Sequence, residues 1–221
     1  MNAYSFVFAN ASLEARADGT LYWPSEQLLC VSDLHLGKSE RMARRGGALL
    51  PPYETEDTLW RLDAAISDTD PDTVICLGDS FDDLGAAQAV DERTKDTLSR
   101  LQAGRDWIWI EGNHDPGPVD LGGTHRFEVA RAGLTFRHIA TPDGSGEISG
   151  HYHPKVGVPG TARRPCFLMD QTRLILPAFG TYTGGLSAGD TALRQLMSDD
   201  ALAILTGQRA TPVPLAACLK R

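Results

Sequence analysis

A chain of 221 residues, 42% of them apolar, carries enough hydrophobic material for a substantial core and has the length of one domain, 1–221. Its formal net charge of −8 argues against a protein that coats nucleic acid nonspecifically, because such binding rests on many Lys and Arg contacts to phosphate; a local site gripping a few phosphates stays open. The four cysteines form no Cys-x-x-Cys pair, the start MNAYSFVFAN has no signal pattern, and no apolar run approaches the roughly 20 residues of a membrane span, so a reducing, cytoplasmic setting without membrane contact is expected.

The first thirty residues read as β-structure: YSFVFAN, then LEARA and TLYWP around Asp18-Gly19, a hairpin signal. Next come short apolar runs that stop abruptly at Asp, Gly, Asn or His: QLLCVSD (27–33), DTVICLGD (72–79), DWIWIEGNHD (106–115), GEISGHYHP (146–154) and RLILPAFG (173–180). A buried strand whose C-terminal end carries chemistry has this shape. Trp107 and Trp109 alternate in one such run and are expected in the core. Helical spacing appears over residues 55–68, with Thr55 as expected N-cap, and again over about 86–101. The second half, with FEVA, LTFRHIA, CFLMD and a terminal ALAILTGQRATPVPL, reads mainly as strands. Strands and helices that alternate early and strands that dominate late predict an α/β protein with two sheets packed face to face.

Four signatures sit at the ends of those strands: Asp33-Leu34-His35, Gly78-Asp79 continuing through Asp82-Asp83, Gly112-Asn113-His114-Asp115, and Gly150-His151-Tyr152-His153 with His138 before it. Alone, an Asp-x-His or Gly-Asp would mean a turn, and for Asp82 and Asp83 capping of the following helix weighs at least as much as chemistry. Together they hold five of the six histidines, each behind a predicted strand, which points to a metal site. His125 is left as an ordinary loop histidine.

The order DxH, GDxxD, GNHD, H and GHxH resembles the calcineurin-like metallophosphoesterase superfamily over about residues 28–180. The resemblance implies a four-layered α/β/β/α sandwich of two mixed sheets flanked by helices. It implies one metal held by Asp33, His35, Asp79 and His153 and another by Asp79, Asn113, His138 and His151, with Asp79 shared. His114 would reach the substrate, stabilising developing charge or protonating the leaving oxygen. Asp115 would orient it, with Asp82 as a competitor for that task. Imidazole, carboxylate and amide ligands without thiolate suit two divalent ions such as Mn²⁺, with Zn²⁺ or Fe as alternatives. Two such ions can share a hydroxide and clamp both oxygens of an in-line displacement at phosphorus.

Within that superfamily the chain resembles the ligase-associated DNA damage response endonucleases, the PdeM group, through LGKS followed by LPP, RRPCF, and LPAFG followed by TGG. This implies a manganese-dependent phosphodiesterase acting on single-stranded DNA, in association with a DNA ligase and a helicase-like partner. Lys38, Arg41, Arg44 and Arg45 then read as a clamp on flanking phosphates, and Tyr152 as a residue in reach of substrate. Many relatives carry a histidine where this chain has Asp82. The alternatives are a phosphatase or phosphodiesterase for small phosphate esters, and a non-catalytic scaffold, which the complete ligand set disfavours.

Overall fold

The computed structural model describes residues 2–47, 49–157, 160 and 162–219. Seven strands build a first mixed sheet in chain order: β1 (Ala3–Phe8), β2 (Ala11–Arg16), β3 (Leu21–Trp23), β4 (Leu28–Val31), β5 (Thr73–Cys76), β6 (Asp106–Ile110) and β7 (Thr124–Arg126). From β1 to β4 the pairing is antiparallel, and β2 meets β3 through the expected turn at Asp18-Gly19, where Gly19 takes a φ of 95°. From β4 to β7 it is parallel, so these strands deliver their C-terminal ends to one edge.

The second sheet takes the rest: β8 (Glu128–Arg131), β9 (Leu134–Arg137), β10 (Glu147–Ser149), β11 (Lys155–Val156), β12 (Arg164–Met169), β13 (Arg173–Ile175), β14 (Leu202–Leu205) and β15 (Thr211–Pro214). Its order is β15-β14-β12-β13-β10-β9-β8, with β11 on β12; β9, β10 and β13 run parallel and the remaining pairs antiparallel. Between the two sheets a single residue, Phe127, joins β7 to β8.

Strand periodicity explains the layers. In β4, Leu28 and Cys30 face inward, where they join Ile75, Ile108, Phe136, Ile148, Phe167 and Ile204 between the sheets. Their neighbours Leu29 and Val31 face the other way, onto Leu59, Leu62, Ile66, Leu98 and Leu101. Those last residues belong to two helices, which we number with the others in chain order: α1 (Lys38–Arg44), α2 (Glu54–Thr69), α3 (Leu84–Gln88), α4 (Glu92–Gln102), α5 (Thr191–Leu196) and α6 (Leu215–Leu219). On the far side of the second sheet, Leu193 of α5 and Leu215 of α6 cover Cys166, Leu168, Ile175 and Leu205. The result is the expected α/β/β/α stack. Trp107 and Trp109 are buried in it, and Cys30, Cys76, Cys166 and Cys218 are free thiols. Among the described residues no helix is long and apolar enough to cross a membrane.

Two helix expectations need correction. Thr55 does not cap α2, whose N-cap is Tyr53 with no side-chain hydrogen bond; the Thr55 hydroxyl accepts from the Gly37 amide at 2.9 Å and so ties α2 to the start of α1. The helix expected over 86–101 breaks into α3 and α4 because Asp91 caps a new N-terminus through the Thr94 amide at 2.8 Å.

Candidate metal centre

At the shared edge the chain takes up conformations that side chains rarely adopt. Asp33 (φ 53°), His35 (46°), Asp79 (46°), His151 (70°) and His153 (45°) all lie in the left-handed region, where a non-glycine residue costs roughly 1–2 kcal/mol. Reversing the backbone there turns each side chain off its strand axis toward a common point. Neighbouring tips lock these turns: the Asp33 amide donates to Gly78 O at 3.3 Å, the His35 amide to Asp79 O at 2.9 Å, and the Gly180 amide to Asp33 O at 3.0 Å. Gly112 is needed for this closeness, since a Cβ on it would strike the amide nitrogen and carboxylate of Asp79.

Two clusters form. In the first, Asp33 Oδ1 lies 3.1 Å from His153 Nε2, which is 3.4 Å from His35 Nε2. In the second, His138 Nε2 lies 3.4 Å from Asp79 Oδ2, 3.3 Å from His151 Nδ1 and 3.0 Å from Asn113 Oδ1. Asp79 Oδ2 is also 4.0 Å from His35 Nε2, so one carboxylate oxygen stands between the two groups. Each cluster draws on both sheets: Asp33, His35, Asp79 and Asn113 follow strands of the first, and His138, His151 and His153 strands of the second.

Hydrogen bonds behind the clusters set which ring nitrogen faces inward. His138 Nδ1 lies 2.7 Å from Leu77 O, and since a carbonyl only accepts, Nδ1 carries the proton and Nε2 presents its lone pair. Likewise His35 Nδ1 lies 2.9 Å from Asp82 Oδ1, a charge contact that leaves Nε2 toward His153. Around His138 Nε2 the atoms of Asp79, Asn113 and His151 are all electron-rich, so the point where they meet calls for a positive charge. Burial alone would raise the Asp79 carboxyl, but the hydrogen bond and charge that His138 supplies when Nε2 is also protonated, with the His114 amide, hold it well below the usual carboxylate range. Burial works the same way on Asp33, and there His153 and His138 outweigh it. Both carboxylates are therefore ionised at neutral pH. Donor types and convergence fit divalent cations at the two clusters.

A third convergent group, His35, Asp82 and His114, is of another kind. The fully buried Asp82 carboxylate is already neutralised by Arg41 Nε at 2.6 Å and Lys38 Nζ at 3.5 Å, besides His35. Sequence reasoning treated Asp82 as a helix cap or as a partner of His114. The cap is its neighbour Asp83, which accepts from the Ala86 amide at 2.7 Å, and the ring that Asp82 holds is that of His35. Its position three residues after Asp79 was the only sequence signal. Ser32, whose hydroxyl hydrogen-bonds Asp33 Oδ2, gave none.

Asp115 also departs from expectation. It does not touch His114; its carboxylate accepts from the amides of Asp79 (3.0 Å), Ser80 (2.8 Å), Phe81 (3.1 Å) and Gly112 (3.1 Å), fixing the loop that carries Asp79. Burial pushes its carboxyl up to about 6 against the pull of those amides. His114 is instead oriented by the Asp82 carbonyl, 2.8 Å from Nδ1, while its amide donates to Asp79 Oδ1 at 2.8 Å. Nδ1 therefore carries the proton, leaving Nε2 as the ring's other functional atom.

The basic set divides. Lys38 and Arg41, on the first turns of α1, reach back to Asp82, whereas Arg44 and Arg45 lie at the surface on Asp83, at 2.9 and 3.2 Å. Tyr152 is half-buried, edge-on to His151 with ring centroids 5.0 Å apart. Phe81 and Phe179 are core residues. His125 lies in β7, its ring against Trp109.

Comparison with known proteins agrees with this geometry. The model of the family described as calcineurin-like phosphoesterase matches residues 27–171, about two thirds of the chain. Among solved structures, the nuclease MPE of Pseudomonas putida is similar, with a TM-score of 0.74 and 28% sequence identity over 96% of this chain and 100% of that one. No curated protein matches.

Proposed function

The chain belongs to the calcineurin-like phosphoesterase family, and from that premise we propose that it is a dinuclear phosphodiesterase that cuts single-stranded DNA. The observation that carries this reading is the place of Asp79 Oδ2 between two clusters of buried imidazoles and carboxylates. In it, Asp33, His35, Asp79 and His153 hold one divalent cation, and Asp79, Asn113, His138 and His151 the other. When bound, the pair supplies an activated water and neutralises charge at the phosphate. We propose Mn²⁺, with Zn²⁺ or Fe as the alternatives that nitrogen and oxygen donors equally admit; burial pushes the thiols of Cys30 and Cys76 up, which disfavours a thiolate site.

The chain's own groups do the rest. His114, its Nδ1–H held by the Asp82 carbonyl, turns Nε2 to the leaving oxygen, to which it gives a proton when the ring is doubly protonated. Lys38 and Arg41 place positive charge behind the first cluster, and Arg44 and Arg45, exposed but paired with Glu40 and Asp83, would exchange those carboxylates for phosphates of the strand beyond the cut. Similarity to a protein described as a nuclease supports a nucleic-acid substrate over a small phosphate ester. A cytoplasmic setting and functional association with a DNA ligase and a helicase-like protein belong to the same reading.

The test is metal-stripped protein reconstituted separately with Mn²⁺, Zn²⁺ and Mg²⁺ and assayed on single-stranded DNA, duplex DNA, cyclic nucleotides and p-nitrophenyl phosphate. Preferential cutting of single-stranded DNA with Mn²⁺ is expected. Efficient phosphomonoester hydrolysis with DNA left intact would make it a small-ester phosphatase. For the ligands, Asp79→Ala should empty both sites; two bound ions in that variant would overturn the assignment.

A further inference from the structure

The reaction centre opens on one side into a cleft of about 420 Å³, within the range of ligand-sized pockets (roughly 300–1,000 Å³). It lies between the loop after β6 and the loop after β9, and its lining includes Asn113 and His138 of the second cluster. Any group seated in it is therefore next to a phosphate held at that cluster.

The chemistry of its walls differs from that of the centre. Phe127 and Ile139, 73% and 43% exposed, are among the large apolar side chains that water reaches, and both line this cleft together with Pro116, Ala140 and Pro142. Single exposed apolar residues are ordinary. Two of them sharing a cleft with metal-cluster residues mark a surface kept for an apolar ligand face. Arg137, the guanidinium in the wall, is bound to Glu128 at 2.5 Å and Glu147 at 3.2 Å, so its charge is already neutralised and the cleft suits an uncharged group better than another phosphate. The geometry of Phe127 is fixed from two sides, since it is the single link between β7 in one sheet and β8 in the other. Its ring is anchored at the backbone and open at its face.

We propose that this cleft seats the nucleobase of a nucleotide adjoining the scissile phosphate, stacked on Phe127 and flanked by Ile139. The proposal rests on the diesterase reading above and specifies its substrate: a flat, uncharged aromatic group one sugar away from the reacting phosphorus. Stacking on a ring tolerates any base, because every base has a π-face. The cleft thus favours single strands, whose bases are free to leave a stack, without imposing a sequence.

The experiment uses the full chain loaded with Mn²⁺, a single-stranded oligothymidylate, and a series in which one abasic residue replaces each thymidine in turn. In the wild type, an abasic residue at one fixed position relative to the cut should lower kcat/KM roughly 5- to 100-fold, mainly through KM, as loss of one stacked base does. Phe127→Ala should lower kcat/KM on the intact oligonucleotide by a similar factor and lose sensitivity to the abasic residue, since the two changes remove the same contact. Phe127→Trp should restore the wild-type pattern. Val7→Ala, at an exposed apolar position on β1, should leave all of it unchanged. Phe127→Ala with wild-type kcat/KM, or with a loss that adds in full to that of the abasic residue, would overturn the base cleft while leaving the diesterase intact. Wild-type protein that hydrolyses p-nitrophenyl phosphate but leaves the oligonucleotide whole would overturn both.

Discussion

Asp82→Asn is the sharpest probe of how the first cluster is held. The carboxylate is fully buried and uses two oxygens on three donors: His35 Nδ1, Lys38 Nζ and Arg41 Nε. Burial alone would raise its pKa, yet the His35 contact and the charges of Lys38 and Arg41 pull it below the usual range, so it is an anion in the fold. An asparagine of the same size offers one acceptor oxygen, and its NH₂ must face a donor. His35 then loses a charged partner that fixes its ring and makes Nε2 more basic. Removing such a partner of a ligating histidine typically costs 10- to 100-fold in metal affinity or activity, about 1.4–2.7 kcal/mol. Leaving Arg41 and Lys38 without their anion should cost about 1–3 kcal/mol of fold stability, less than a fully buried pair because both cations are partly solvated. The loss should be lopsided, because the second cluster's side chains make no hydrogen bond or ion pair to Asp82 and the carbonyl that orients His114 survives the substitution. Calorimetric titration of stripped protein with Mn²⁺ against a competing chelator would resolve two steps. We expect one to weaken 10- to 100-fold and the other to stay within about threefold. Equal weakening of both, or of neither, would refute the reasoning.

Other outcomes follow from the same geometry. His114→Ala should lower kcat about 10²- to 10⁴-fold with both ions retained, measured by single-turnover kinetics and metal analysis; unchanged turnover would remove His114 from the chemistry. Gly112→Ala forces a Cβ into the Asp79 amide and carboxylate, and a shift approaching 1 Å there should cost about 100-fold in kcat/KM. In chelator-stripped protein, Asp33, Asp79 and Asp82 have folded pKa values below 3.8. The stability they contribute is then complete above about pH 4 and lost as the pH falls through the lowered values. Melting temperatures should drop on that acid limb, and a flat profile from pH 5 to 2.5 would contradict the sign.

Much of this was legible in the sequence because buried parallel strands leave no polar residue inside. The first Asp, Asn or His after QLLCVS, DTVICLG or DWIWIEG therefore had to mark a strand tip. The hairpin at Asp18-Gly19 and the layers followed from turn chemistry and alternation. What sequence missed depends on distance in space. Asp115 follows His114 directly and was paired with it, yet consecutive residues in a tight loop point apart, and its carboxylate found four amides instead. Asp82 and Asp83 looked equivalent as helix caps until the fold buried one beneath α1 and left the other at the N-terminus of α3. Lys38, Arg41, Arg44 and Arg45 read as one basic stripe, and only helical phase separates the pair turned inward from the pair turned out.

Because each of the two metal clusters takes members from both halves of the sandwich, ions seated there would act as rivets through two plates. Between the plates the contact is largely oily, pinned by a few polar links such as Arg131 to Glu26 and Thr73, and a rivet at one rim adds a strong stop against sliding. Loaded protein should thus resist shear between the halves, and proteolysis of the stretch at residue 127 that bridges them should quicken once a chelator pulls the rivets.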